Sequence, residues 1–144
     1  MAALTQTAEA QNLTQTACTL DYATDMELVS PAGMPKNSDN LYILPVNTKF
    51  VLKIQITNQS SNKCDWARST ALRYSSGEDF DAGQFIFFDV RDVVVEPGGT
   101  ATITFGGKTP AKGGNKNITG KWILQTPGRR QIGLPIEIGF QVYG

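Results

Sequence analysis

From residue 18 onward, apolar and polar residues alternate with a period of two. Phe50, Leu52, Ile54 and Ile56 interleave with Val51, Lys53, Gln55 and Thr57. That spacing predicts a strand with one buried face, because successive side chains of an extended chain point to opposite sides. Ala101, Ile103 and Phe105 alternate with Thr100, Thr102 and Thr104 and predict a second strand. Ile132, Leu134, Ile136, Ile138, Phe140 and Val142 form an even-numbered apolar row, read as one long final strand. Pro135 interrupts it, and a residue without an N–H fits an edge or a bulge there. Weaker strand patterns cover 22–29, 70–75, 84–88, 92–95 and 119–126.

Turn chemistry separates these segments: Ser-Pro-Ala-Gly at 30–33, Ser-Ser-Gly at 75–77, Glu-Pro-Gly-Gly at 96–99, Lys-Gly-Gly-Asn at 112–115 and Thr-Pro-Gly at 126–128. Each cluster holds the residues that reverse an extended chain. The polar stretch 30–42 reads as a loop. Seven or eight short antiparallel strands at this spacing predict an all-β sandwich or barrel. The run Asn58-Gln59-Ser60-Ser61-Asn62-Lys63-Cys64-Asp65-Trp66 narrows the choice. It sets a cysteine and a large aromatic at one corner of the β fold, as in an immunoglobulin-like sandwich.

Residues 1–17 are different in kind. Leu-Thr-Gln-Thr-Ala occurs twice, at 4–8 and 13–17, in sequence with almost nothing apolar to bury. The stretch lacks the basic start and apolar middle of a signal peptide. It reads as a low-complexity linker or tail, followed by one domain over 18–144. The two cysteines, Cys18 and Cys64, stand in a Gly/Thr/Asn-rich β chain. An even count in that setting predicts a disulfide and an oxidising compartment.

Composition removes several function classes. Lys plus Arg and Asp plus Glu both number 13, and no basic run exists, so a surface that tracks nucleic-acid phosphates is not expected. No apolar stretch is long enough to span a membrane as a helix. Histidine is absent, which removes the commonest general base and zinc ligand. No Ser or Cys stands in a nucleophile-elbow pattern. Gly106-Gly107-Lys108-Thr109 lacks the upstream glycine of a phosphate loop and reads as a turn or loop. Glu78, Asp79 and Asp81 cluster beside Gly77 and Gly83, but their spacing is not that of a calcium loop, so they read as a solvated acidic loop. Arg129-Arg130 reads as a solvated hairpin tip. The expectation is a protein that is not an enzyme and carries no cofactor or metal.

The ordered residues Asn58 to Trp66, Leu72, Ser76-Gly77-Glu78, Val93, Val95, Glu96-Pro97-Gly98-Gly99, Ile103, Pro110, Gly120-Lys121-Trp122-Ile123-Leu124 and Gln141-Val142 carry a resemblance. Over about 18–144 the chain resembles the four-tryptophan (FW) domain, the immunoglobulin-like central domain of selective-autophagy cargo receptors, in its bacterial secreted or lipid-anchored form. In that form a Thr/Ala/Gln-rich spacer precedes a Cys that opens the domain, as residues 2–18 do here. The chain keeps two Trp, with Ile54 where an early strand Trp would fall. The resemblance implies the fold; the sandwich pattern, the 1–17 tail, the cysteine pair and the lack of catalytic residues point to a non-catalytic extracellular or cell-surface interaction or spacer module, tethered by its tail, with an unknown protein as its expected partner. The alternative is a carbohydrate-binding module that uses exposed aromatics.

Trp66 and Trp122 read as core or corner aromatics, since large aromatics dominate sandwich cores. The candidate interaction surface is Phe85, Ile86, Phe87 and Phe88, extended by Tyr74. Phe85 and Phe87 point one way and Ile86 and Phe88 the other, yet only one sheet face can meet the core. The second face therefore needs a cover: the 30–42 loop, a second copy of the chain or a partner.

Overall fold

The period-two segments form strands because each can bury one row of side chains while its backbone pairs laterally. In a computed structural model the described residues are 22–59, 64–66, 70–90, 93–125 and 131–144, with the side chains of 22, 23, 64–66, 93 and 131–134 outside the description. They form ten strands: β1 (Tyr22–Ser30), β2 (Tyr42–Pro45), β3 (Lys49–Asn58), β4 (Cys64–Trp66), β5 (Ala71–Gly77), β6 (Phe85–Phe87), β7 (Val93–Val95), β8 (Thr100–Lys108), β9 (Lys116–Gln125) and β10 (Gln131–Tyr143). One sheet runs β1-β3-β8, a second runs β2-β10-β9-β5-β6, and β4 pairs with β7. The fold is an all-β sandwich.

Its core is the meeting of two inner faces. Leu52, Ile54, Ile56, Ile103 and Phe105 from the first sheet pack in one cluster with Leu72, Trp122, Leu124, Ile138 and Phe140 from the second. Aromatic rings cross the gap: Phe50 lies 4.5 Å from Phe140, and Phe105 meets Trp122 edge-on at 5.0 Å. Such pairs add about 0.5–1.5 kcal/mol beyond the area they bury. Ile54 is fully buried in this core.

Three elements depart from the sequence expectation. The strands number ten among the described residues, two or three more than the pattern predicts, because β2 and β4 are short. Not all pairs are antiparallel: β2 runs parallel to β10, with Tyr42 opposite Phe140 and Leu44 opposite Val142. Gly106, Gly107 and Lys108 are the end of β8, paired with Val51, Phe50 and Lys49, rather than a turn. Pro135 falls where the β9–β10 register shifts, between Ile132 and Ile136. The bulge absorbs the missing donor, and β2 reaches only residues 140–143 on the other side.

Two turns set the geometry around β5 and β8. Gly98 has φ 79° and Gly99 N–H donates to Glu96 O at 2.8 Å, so Pro97-Gly98 occupy the centre of a type II turn. The same turn receives the end of β3, where buried Asn58 donates its side-chain amide to Val95 O at 3.0 Å. At Gly120 the backbone of Glu78 comes so close that a Cβ would lie 1.9 Å from the Glu78 carbonyl oxygen. Glycine there lets the 78–84 loop lie directly against β9.

Candidate functional site

The candidate surface is built on β6. This strand forms one edge of the five-stranded sheet and pairs with β5, placing Phe87 opposite Ala71, Ile86 opposite Leu72 and Phe85 opposite Arg73. The chain then crosses to the other sheet. Asp89 N–H donates to Thr102 O at 2.9 Å, and the Asp89 carboxylate accepts from Thr104 N–H at 3.0 Å and Thr104 Oγ1 at 2.9 Å. Strand β6 is therefore held at both ends of its short span, by β5 on one sheet and by β8 on the other.

Alternation divides its side chains. Phe85 is 56% exposed and Phe87 38%, on the outer face, with exposed Arg73 beside Phe85. Val90, three residues beyond, is 68% exposed. Phe88 is buried and Ile86 packs half-buried on the core. Tyr74 is also turned inward, its ring 5.4 Å from Trp122 and its hydroxyl donating to Gly77 O. The surface read from sequence thus contracts from five residues to Phe85 and Phe87. Ile86 and Phe88 share the parity of the core face, and Tyr74 lies across the sheet on that same face. The 30–42 loop is not what lies over it. Asn37 of that loop donates to Asn117 Oδ1 at 2.9 Å and Gln141 Oε1 at 2.8 Å, which fixes it at the far, β2 side of the sheet.

The remaining singled-out residues fall elsewhere. Trp122 is fully buried at the centre of the core. Trp66 and Cys64 lie on β4, whose backbone pairs with β7, but their side chains are outside the described residues, as is Cys18. The Cys18–Cys64 disulfide and Arg129-Arg130 therefore lie outside the description. The acidic loop has a structural use. Glu78 Oε2 accepts from Phe80 N–H at 3.2 Å and Asp79 Oδ1 from Asp81 N–H at 3.0 Å. These bonds turn the loop so that Phe80 drops into the core between Phe50 and Phe140, at 5.7 and 5.5 Å. Sequence reasoning missed Phe80, which sits alone among acids with no periodic neighbour. Among the described residues no group of three or more His, Cys, Asp or Glu could hold a metal, and no helix is long and apolar enough to cross a membrane.

With this geometry in view, comparison with known proteins adds little. No protein-family model matches the chain, and no curated protein matches it. Among solved structures it is similar to the crystal structure of a FixG-related protein from Vibrio parahaemolyticus, at 12% identity and a TM-score of 0.42, covering 85% of this chain and 97% of that one.

Proposed function

We propose that this chain is a non-catalytic interaction module that binds protein through the outer face of β6, and that it works outside the cell or at its surface. The observation that carries the reading is the pair Phe85 and Phe87, exposed on a strand held from both sheets. Rigid aromatic side chains supply contact area with little ordering entropy, which is why they anchor interfaces. The low-complexity 1–17 segment supports a tethered presentation, as does the resemblance to bacterial FW domains. The two cysteines support an oxidising location, with Cys18–Cys64 as the proposed disulfide.

The test is the double variant Phe85→Ser with Phe87→Ser. Its melting temperature falls only modestly, because Phe85 is 56% exposed and Phe87, at 38%, is partly covered. Crosslinking on the native cell surface recovers a partner, or a second copy, with the parent chain and not with the variant. Equal recovery by both proteins sinks the reading. Glycan binding is the alternative use of the same aromatics. It is separated by a glycan array on which the parent binds and the double variant does not.

A further inference from the structure

The outer face beside β6 can be read row by row, because strand register fixes which side chains stand together. In one row Phe87, Ala71 and Gln125 lie side by side across β6, β5 and β9. In the next stand Phe85, Arg73 and Ile123. In the third, Ser76, Lys121 and Glu137 cross β5, β9 and β10. Directly opposite residues on one face bring their Cβ atoms to about 5 Å. In the first row Ala71 and Gln125 are buried although they share the outer face with Phe87. The open part of the face is therefore the second row, exposed Phe85 and Arg73 with half-buried Ile123.

Charge is uneven across these rows. Lys121 and Glu137 stand opposite each other and balance. Arg73 has no such counterpart, for its direct neighbours are Phe85 on one side and Ile123 on the other. Among the described residues its guanidinium makes no ion pair and no ring contact. The carboxylates of the following loops are committed elsewhere. Glu78 and Asp79 accept from the N–H groups of Phe80 and Asp81, and Asp89 accepts from Thr104 on the other sheet. An arginine set among apolar side chains suits a carboxylate. Its planar fork gives two parallel N–H···O bonds, and an apolar surround keeps water from screening the pair.

We infer that the protein partner of β6 docks with an acidic segment, an Asp or Glu carboxylate seated on Arg73 and apolar neighbours of that residue lying on Phe85 and Ile123. The inference rests on the reading of β6 as a protein-binding face and adds the residue that sets its specificity. Charge decides between occupants. A second copy offering the same face brings another unmatched Arg73 and, in these rows, no carboxylate beyond the Glu137 that already faces Lys121. An acidic sugar would bring the carboxylate, but its hydroxyls need donors and acceptors, and Phe85 and Ile123 supply none.

The test is an amide-resonance titration of the full chain with acetyl-Ser-Val-Asp-Phe-Ser-amide, with the same peptide carrying Lys for Asp, and with glucuronate. The acidic peptide shifts the resonances of Arg73, Phe85 and Ile123, and binds roughly two- to five-fold tighter than the basic one, the scale of an exposed ion pair. Arg73→Gln, a change at an exposed side chain that bonds no core group, erases that preference, and Arg73→Lys keeps part of it. Equal affinity for both peptides, a preference that survives Arg73→Gln, shifts confined to other strands, or no response to either peptide overturns the inference. So does glucuronate binding as tightly as the acidic peptide, which would make the row a sugar site. On the native cell surface, recovery of the partner falls with Arg73→Gln and, for the parent chain, as salt rises. A partner lost with Phe85→Ser and Phe87→Ser but recovered in full with Arg73→Gln overturns this inference alone. A partner that the double phenylalanine variant still recovers overturns the reading beneath it as well.

Discussion

Burial at single residues follows parity wherever a strand sets it. Trp122 stands between Gly120 and Leu124 in a strand, and it is fully buried, edge-on to Phe105 and Tyr74. Trp122→Ala therefore costs roughly 3–5 kcal/mol in urea unfolding, because the surrounding rings cannot close over so large a void. A loss below about 1 kcal/mol would mean the indole is in water. Phe80 shows where parity ends. Its φ of 52° lies in the left-handed region, unusual for a bulky residue, and is held by carboxylate-to-amide bonds within the loop. No apolar period leads to it, so its burial arises from turn geometry that only the folded backbone displays. The same limit applies to the candidate surface. Parity correctly separates Phe85 and Phe87 from Ile86 and Phe88, but which pair faces water depends on the side from which the other sheet packs.

Among elements, the long strands were legible because each buries an apolar row over several residues; β3, β8 and β10 are where the alternation places them. The short strands were not. Tyr42-Ile43-Leu44-Pro45 offers one fully buried side chain, Leu44, and its partner is a parallel strand almost a hundred residues onward, beyond any turn signal. Cys64–Trp66 reads as a corner, yet it pairs with Val93–Val95 in a small sheet of its own. The β6 segment depends on a contact no sequence pattern displays, the carboxylate of Asp89 on β8. Asp89→Ala removes the acceptor of two exposed hydrogen bonds, which water can partly replace, and should destabilise the chain by about 0.5–1.5 kcal/mol. Its more telling effect is local: hydrogen exchange at residues 85–87 accelerates more than at β3. Uniform acceleration across the sheet would show that Asp89 supports global stability without fastening β6.

At the scale of the whole molecule, two sheets close on one core, and the described residues begin at β1. Residues 1–16 offer two Leu and no aromatic, too little apolar surface to offset ordering at about 1–2 kcal/mol per residue. Deleting them leaves the melting temperature within error, and a fall of several degrees would make the segment part of the fold. Cys18 is the exception in that neighbourhood. The first residues of β1 pair with the last of β3, Tyr22 opposite Asn58, and Cys64 opens β4 six residues after Asn58. The residues between Cys18 and β1 and between Gln59 and β4 lie outside the described residues, so the Cys18–Cys64 disulfide stays a proposal from the sequence. Closing a loop of this length should stabilise by about 4 kcal/mol in the chain-entropy model, less any strain. Intact mass under denaturing conditions, with and without alkylation before reduction, reads the state directly. Two alkylated thiols in freshly prepared, unreduced protein would end the disulfide assignment and, with it, the main support for an oxidising location. A mass two hydrogen atoms lighter than that of the dithiol, together with a melting temperature that drops on reduction, is the expected result.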